Sequence, residues 1–376
     1  MQTDYGVIGA GSAGCVVARR LADAGHRVAL LEAGPTDRHP YIHIPAGILK
    51  LLYHPKLNWN YHSQAEPGTA GREIHWPRGK TLGGSSSING MLYIRGHQAD
   101  YDSWAQAGCR GWSYDDVLPY FLKSEDQAAV PTDDVHADGG EWRVENQRLS
   151  WEVLDAFQEA AAQEGIPKTN DFNRGDNLGC GYFHVNQRSG TRWSTSKGFL
   201  KPAMGRSNLT VLTHAEADKI VFDGTRVTGL TLRQKGDPAR VSVAGELILS
   251  AGSIGSPQIL ELSGVGNPEV LREHGVAVVH ALNGVGENLQ DHLQVRVAYK
   301  VHGVKTLNER ANSLFGKAGI ALDYLLKRSC PMSMAPAHLG ALAKSAPSLE
   351  VPHLQYHVQT RSLSKLGPPR TASPPP

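Results

Sequence analysis

With 376 residues, the chain is long enough for two or three domains of ~100 to 200 residues with substantial hydrophobic cores. Its 38 Lys and Arg against 36 Asp and Glu leave a formal net charge of +2, too weak a field to draw nucleic acid or an anionic membrane surface, so a small-molecule partner is expected. Cys15, Cys109, Cys180 and Cys330 are widely separated and form no CxxC pair, which argues against a disulfide framework or a zinc site and suits a reducing, cytoplasmic compartment.

The N-terminal run YGVIGAGSAGCVVA is apolar, but Asp4 stands where a signal peptide carries positive charge, and the run is too short and glycine-rich to span a bilayer. No other segment approaches ~18 uninterrupted apolar residues, so no membrane span is expected. Residues 4–8 read as a short buried strand leading into Gly9-Ala10-Gly11-Ser12-Ala13-Gly14, a G-x-G-x-x-G. Val16, Val17, Leu21 and Ala24 follow near helical spacing, with Gly25 past the helix end, and RVALLEAG, 27–34, reads as a second strand.

This strand, turn, helix, strand unit has a physical purpose. Its glycines allow a tight turn, let backbone amides approach a pyrophosphate and let the helix pack on the strand. Glu32 lies 18 residues beyond Gly14, where a carboxylate accepts hydrogen bonds from ribose hydroxyls and repels a 2′-phosphate. An adenine dinucleotide is expected, NADP is disfavoured, and NAD and FAD both remain open. The small-residue run GKTLGGSSSING, 79–90, suits the longer of the two, because a flavin must also be approached closely by backbone at its far end.

Further along, WEVLDAFQEAAAQEG places Val153, Leu154, Phe157 and Ala161 on one helical face, with Ser150 as N-cap and Gly165 beyond the end. Residues 166–200 show little periodicity and read as a loop-rich excursion over the substrate side. Residues 209–232 are β-rich, with an Asp223-Gly224 turn that signals a hairpin, and ELILSAG, 246–252, reads as a buried strand returning to the nucleotide-binding sheet. The tryptophans are expected to be packing residues. His97, His184 and His292 sit near the motifs but are expected to be structural, Asp133-Asp134 solvated, and no HExxH-like spacing points to a metal. VPHLQYHVQ, 351–359, reads as another strand, after which the apolar pattern fails and the chain runs into prolines.

Residues 79–102 resemble the first signature of the glucose-methanol-choline (GMC) flavoprotein oxidoreductases through Gly79, Lys80, Leu82, Gly83, Gly84, Ser85, Ser86, Ile88, Asn89 and Tyr93. Residues 252–266 resemble the second through Gly252, Ser256, Pro257, Ile259, Leu260, Ser263, Gly264 and Gly266, and GVGENLQDH, 284–292, is a further similar stretch. The run from Trp76 to Gly96 is most similar to choline and other alcohol dehydrogenases. The resemblance implies FAD and oxidation of a small-molecule alcohol by hydride transfer to the flavin, with the electron acceptor unspecified. Some relatives tether the flavin through a histidine where this chain has Ile88, so noncovalent FAD is expected. Carried over residue by residue, Gly9, Gly11, Ser12, Ala13 and Gly14 match the pyrophosphate turn, and Glu32 with Ala33 the ribose contact. Thr81, Leu82, Gly83, Gly84, Asn89, Gly90, Met91 and Leu92 match the flavin-side segment, and Ala217 the adenine contact, where larger aliphatics are common in the family.

The fold implied is α/β, a Rossmann-like FAD-binding domain (1–150 and 201–298) interleaved with an incomplete antiparallel-sheet substrate domain (151–200 and 299–360), with 361–376 a disordered Pro-rich tail. The family's catalytic histidine lies in a later C-terminal segment that finds no match here, so no catalytic residue is assigned and the chain reads as truncated. An inactive FAD-binding remnant and an NAD-dependent dehydrogenase are the alternative expectations.

Overall fold

The computed structural model describes residues 1–304, 306, 307 and 314–360; the Pro-rich stretch 361–376 lies outside the described residues. In chain order, the main strands are β1 (Gln2–Ile8), β2 (Val28–Glu32), β3 (Gly179–Tyr182), β4 (Leu209–Thr213), β5 (Ala215–Asp223), β6 (Arg226–Gln234), β7 (Asp237–Leu249), β8 (Leu339–Ala343) and β9 (Leu354–Val358). The main helices are α1 (Ser12–Asp23), α2 (Glu152–Gln163), α3 (Gly252–Leu262) and α4 (Leu314–Lys327).

Six strands form one sheet in the order β4-β2-β1-β7-β6-β5. The pairs β4–β2, β2–β1 and β1–β7 are parallel, whereas β7–β6 and β6–β5 are antiparallel. The apolar run Val28 to Leu31 of β2 is fully buried, as it must be when both faces of a parallel strand are covered, and Glu32 at the strand end is buried with it. Strand alternation sorts these residues to two faces. Val7 and Leu30 join Cys15, Ala18, Phe199 and Leu200 on the α1 side, and Ile8, Ala29 and Leu31 join Ile220, Leu230 and Val241 on the other. Each fully buried Leu or Ile in these clusters contributes ~1.5 to 3 kcal/mol.

The expected hairpin is present, with β5 and β6 joined so that Asp223 faces Arg226 and Gly224 takes φ +60°. The return to the nucleotide sheet is present too, with Gly6, Val7 and Ile8 of β1 opposite Leu247, Ile248 and Leu249 of β7. These three β7 residues are half-buried rather than buried: Ile248 touches the α1-side cluster and Leu247 and Leu249 the other, and neither cluster covers them fully.

The second, antiparallel sheet has the order β9-β8-β3, with Ala341 opposite both Tyr356 and Cys180. Helix α2 covers it, packing Leu154 and Ala161 with Val153 and Phe157 against Cys180, Leu339 and Ala341. Its N-cap is Trp151, not Ser150: the Trp151 carbonyl accepts from Leu154 and Asp155, placing the first turn one residue later than expected. Glu152 and Asp155 in that turn complement the helix dipole instead of a side-chain cap.

The stretch 166–200 is also more regular than its sequence suggests. Besides β3 it contains His184–Val185 paired with Leu92–Tyr93, a Gln187–Arg188 and Thr191–Arg192 ribbon, and a π-helical turn at Ser196–Leu200. Two of its partners, β8 and Leu92–Tyr93, are remote in sequence, so packing rather than local periodicity sets its structure. Conversely, Leu293, Val295, Val297 and Tyr299 alternate as a half-buried strand would, yet all are exposed and belong to no strand in the structure. Among the described residues, no helix is long and apolar enough to cross a membrane.

Candidate cofactor site

The turn between β1 and α1 is shaped by contacts that leave no room for a side chain at Gly9 and Gly14. A Cβ on Gly14 would lie 1.9 Å from the Gly9 carbonyl oxygen, so the helix enters close against the strand end only because residue 14 is glycine. Gly11, the N-cap, has no side-chain cap, and a Cβ there would meet only open space. Ser12 and Ala13 are exposed. The first amides of α1 therefore face an open side of the molecule, an arrangement suited to an anion.

Glu32 ends β2 and is 5% exposed as a residue. It accepts from the Gly34 amide at 2.8 Å and the Ala10 amide at 3.2 Å. Burial outweighs these two bonds and pushes its pKa up to about 7. A carboxylate held this way retains lone pairs for further donors, and ribose hydroxyls fit that need. Ala33, beside it, is half-buried.

The second glycine-rich run docks on the first. The Gly83 amide donates to the Ala10 carbonyl at 2.8 Å, and a Cβ on Gly84, whose φ is +50°, would lie 2.7 Å from the Gly11 Cα. Thr81 and Leu82 tie the run to Pro35 through the Thr81 hydroxyl and the Leu82 amide, at 3.0 and 3.2 Å. A 3-10 turn, Gly84–Ser87, then carries the chain past Ser85 and Asn89, which are both exposed.

Beyond that turn, Met91 sits at φ +62°, a left-handed conformation that is costly for a non-glycine residue. It is held by the Asn89 Oδ1, which accepts from the Met91 amide at 3.0 Å and from Arg192 at 2.8 Å. Arg192 is 1% exposed. It also donates to the carbonyls of Ile42 and Ser86, at 2.9 and 3.2 Å, while its remaining terminal nitrogen has no hydrogen-bond partner. Burial lowers its pKa to about 9, so it stays charged at neutral pH. Gly90 abuts Pro336, Met91 packs with Val185 and Ala335, and Leu92 is half-buried against them. Ile88 points into an apolar cluster with Ile42, Leu51 and Leu57.

The structure thus brings Gly9, Gly11, Ser12, Ala13, Gly14 and Glu32 together with Thr81, Leu82, Gly83 and Gly84, and sets Asn89, Gly90, Met91 and Leu92 at the far end of the second run. Ala217 lies on β5 and packs against the Ile8 and Leu31 cluster, one residue after Glu216, which pairs with Lys80 at 3.3 Å. His97 caps a helix by accepting from Ala99, His184 is buried with both ring nitrogens unpartnered, and His292 is exposed. Asp133 is exposed and paired with Arg174 at 2.7 Å. Trp142 packs on Phe199 and Trp151 on the α2 cluster, as packing residues do, whereas Trp104 and Trp112 lie T-shaped against each other near the surface and are 48% and 53% exposed, contrary to that expectation. No group of metal-ligating side chains occurs among the described residues. Arg192 and His338 went unremarked in the sequence. Nothing in TRWSTSKGF distinguishes a buried arginine from a surface one, and His338 lies among small apolar residues far from any motif.

Fold and site together define a dinucleotide-binding α/β protein with a second backbone approach of the kind a flavin needs. The chain belongs to the GMC oxidoreductase family, whose model matches residues 3–294. It is 40% identical to an alcohol dehydrogenase (acceptor) of Pseudomonas putida, over 94% of this chain and 65% of that protein. It is 41% identical to an oxygen-dependent choline dehydrogenase of Photobacterium profundum, over 94% of this chain and 62% of that one. An FAD-dependent oxidoreductase structure from Chaetomium thermophilum matches with a TM-score of 0.82 and 25% identity, over 90% of this chain and 61% of the other. The chain spans less than two thirds of the length of the relatives it matches. Family and structural neighbours support FAD as the group that these residues fit.

Proposed function

We propose that this chain takes part in FAD-dependent oxidation of an alcohol and holds the flavin noncovalently. The observation that carries this reading is the docking of the two glycine-rich runs, Gly84 against Gly11 and Gly83 onto Ala10, which joins a pyrophosphate turn to a second close backbone approach. In this reading Gly9, Gly11, Ser12, Ala13 and Gly14 hold the pyrophosphate, and Glu32 with Ala33 the ribose. Thr81 to Gly84 and Asn89 to Leu92 run along the flavin side, and Ala217 lies at the adenine. FAD, when bound, supplies the acceptor for the hydride that leaves the alcohol carbon. The residues of the chain bind and orient it, and the hydroxyl proton is assigned to none of them.

The names of the two relatives support an alcohol, choline-like or primary, as substrate. Packing of α2 on β3 and β8 supports a substrate region of 151–200 and 299–360 set against a cofactor region of 1–150 and 201–298, except that Phe199 and Leu200 pack with Val7 and Leu30 on the cofactor sheet. Four unpaired cysteines support a cytoplasmic setting. Ile88, apolar and packed inward, supports a flavin that is not tethered there.

The test is a flavin spectrum of the purified chain with and without added FAD, followed by acid precipitation. A bound yellow chromophore that passes into the acid supernatant is expected, as is bleaching by an alcohol under anaerobic conditions. No chromophore after addition of FAD, with NAD bound in its place, overturns the reading.

A further inference from the structure

We propose that the cavity beside the flavin-side loop takes an uncharged alcohol with a compact apolar body and discriminates against quaternary ammonium alcohols such as choline. This inference rests on the alcohol-oxidising reading above and names its substrate class.

The cavity measures about 290 Å³. A cavity of ~150 Å³ holds a benzene ring, so this one has room for a ring or branched chain with a hydroxymethyl group. Its wall is apolar, built from Ile48, Leu49, Ile320, Met332 and Met334, and it borders the flavin-side loop through Pro336, which lies against Gly90, and Ala335, which packs on Met91. Methionine-lined walls adapt to ligands of different outline.

Two buried polar side chains interrupt that wall. His338, 3% exposed, has no hydrogen-bond partner for either ring nitrogen, and Thr360, 5% exposed, has none for its hydroxyl. Buried polar atoms left without partners are costly unless a ligand or water meets them, and an alcohol hydroxyl both donates and accepts. The charge environment sets the class. Among the described residues lining the cavity there is no carboxylate and no Trp, Tyr or Phe, and the charged one is Lys317, itself a cation. A quaternary ammonium would enter with neither a counter-charge nor the face of a Trp, Tyr or Phe ring to replace its water. Burial at this site already drives the His338 imidazole down to about 4, so the same surroundings that discharge one cation disfavour a second.

The experiment measures binding of benzyl alcohol and of choline to the purified full chain by calorimetry and saturation-transfer NMR, with and without FAD. Benzyl alcohol is expected to bind at least ~tenfold more tightly than choline. Met332 is half-buried in the wall and packs on the Ile320 and Tyr324 cluster, so Met332→Gln serves as the packing control: Met332→Glu is expected to weaken benzyl alcohol and strengthen choline by ~tenfold each, and Met332→Gln to do the first without the second. Choline bound as tightly as benzyl alcohol, binding of neither, or an unchanged preference in Met332→Glu overturns the proposal. Preference for benzyl alcohol in a chain that binds no FAD upholds the cavity's class and sinks the functional reading instead, so the two failures are distinguishable.

Discussion

The pyrophosphate end and the ring end of the cofactor site are built in different ways. At the first, Gly9 to Gly14 and Glu32 lie within one βαβ unit, and the groups that would face a ligand are backbone amides and one carboxylate whose partners are two or 22 residues away. At the second, Asn89 is held by Arg192, 103 positions distant, Gly90 meets Pro336, and a left-handed Met91 is kept in place by that distant arginine acting through Asn89. One end is local and uncharged by side chains apart from Glu32; the other depends on a buried cation with one nitrogen unpaired. The first end therefore breaks when a turn no longer fits, and the second when a tertiary tie is cut.

The largest effect is expected at the local end. Gly14→Ala forces a Cβ onto the Gly9 carbonyl, a backbone atom that cannot swing away, and should lower unfolding stability by ~3 kcal/mol in urea titrations. Gly11→Ala is the control, since its Cβ meets open space in the free protein. It should leave stability within ~1 kcal/mol yet weaken FAD, because the space it fills is where the pyrophosphate is expected. Equal stability losses in the two variants would show that the turn is not built as described.

The next effect separates the ends. Arg192→Met removes donors from Asn89, Ser86 and Ile42, and should cost ~2 kcal/mol of FAD affinity. Affinity for ADP, which reaches only the local end, should stay within ~0.5 kcal/mol. Parallel loss of both ligands in fluorescence titrations would mean that the ring end is not an independent support.

The same contrast explains what the sequence made legible. The βαβ unit, the hairpin at Asp223-Gly224 and the second glycine run could be read because each is specified by neighbours in the chain: glycine where a Cβ would collide, alternation over a few residues, a turn of two. The stretch 166–200 could not, because its strands pair with Leu92–Tyr93 and with β8, and glycine-rich GCGY carries no alternation of its own. Ser150 was a sound cap by composition but lay one residue outside the turn that Trp151 starts. Arg192 and His338 became visible only as buried groups, since burial of a polar side chain is a property of its surroundings and not of its neighbours in sequence.

Glu32 gives a prediction about pH. Its pKa is raised in the free fold from 4.5 to about 7, so the folded state binds more protons than the unfolded state between those values. Its contribution to stability is accordingly most favourable below pH 4.5 and declines as pH rises to about 7. Ribose donors favour the charged form, so ADP binding should release a proton and tighten by about tenfold from pH 6 to pH 8. In Glu32→Gln that dependence should vanish and affinity should fall at the upper end. A pH profile unchanged by the substitution would remove Glu32 from the ribose.

The smallest effect belongs to the tie between the second run and β5. Lys80 lies 3.8 Å above the Trp59 ring and 3.3 Å from the Glu216 carboxylate, which is half exposed. Exposed ion pairs contribute ~0 to 1 kcal/mol because water and salt screen them, and a surface cation–π contact adds ~0.5 to 1. Glu216→Ala should therefore change FAD affinity and stability by less than ~0.5 kcal/mol, and Lys80→Met by ~1 kcal/mol, with only the Glu216 share disappearing at high salt. That ordering follows from the ring contact being insensitive to ionic strength while the carboxylate contact is not. If Glu216→Ala cost more than Lys80→Met, the link would act through β5 and Ala217 beside it, and the adenine side of the site would depend on the second glycine run as strongly as the flavin side does.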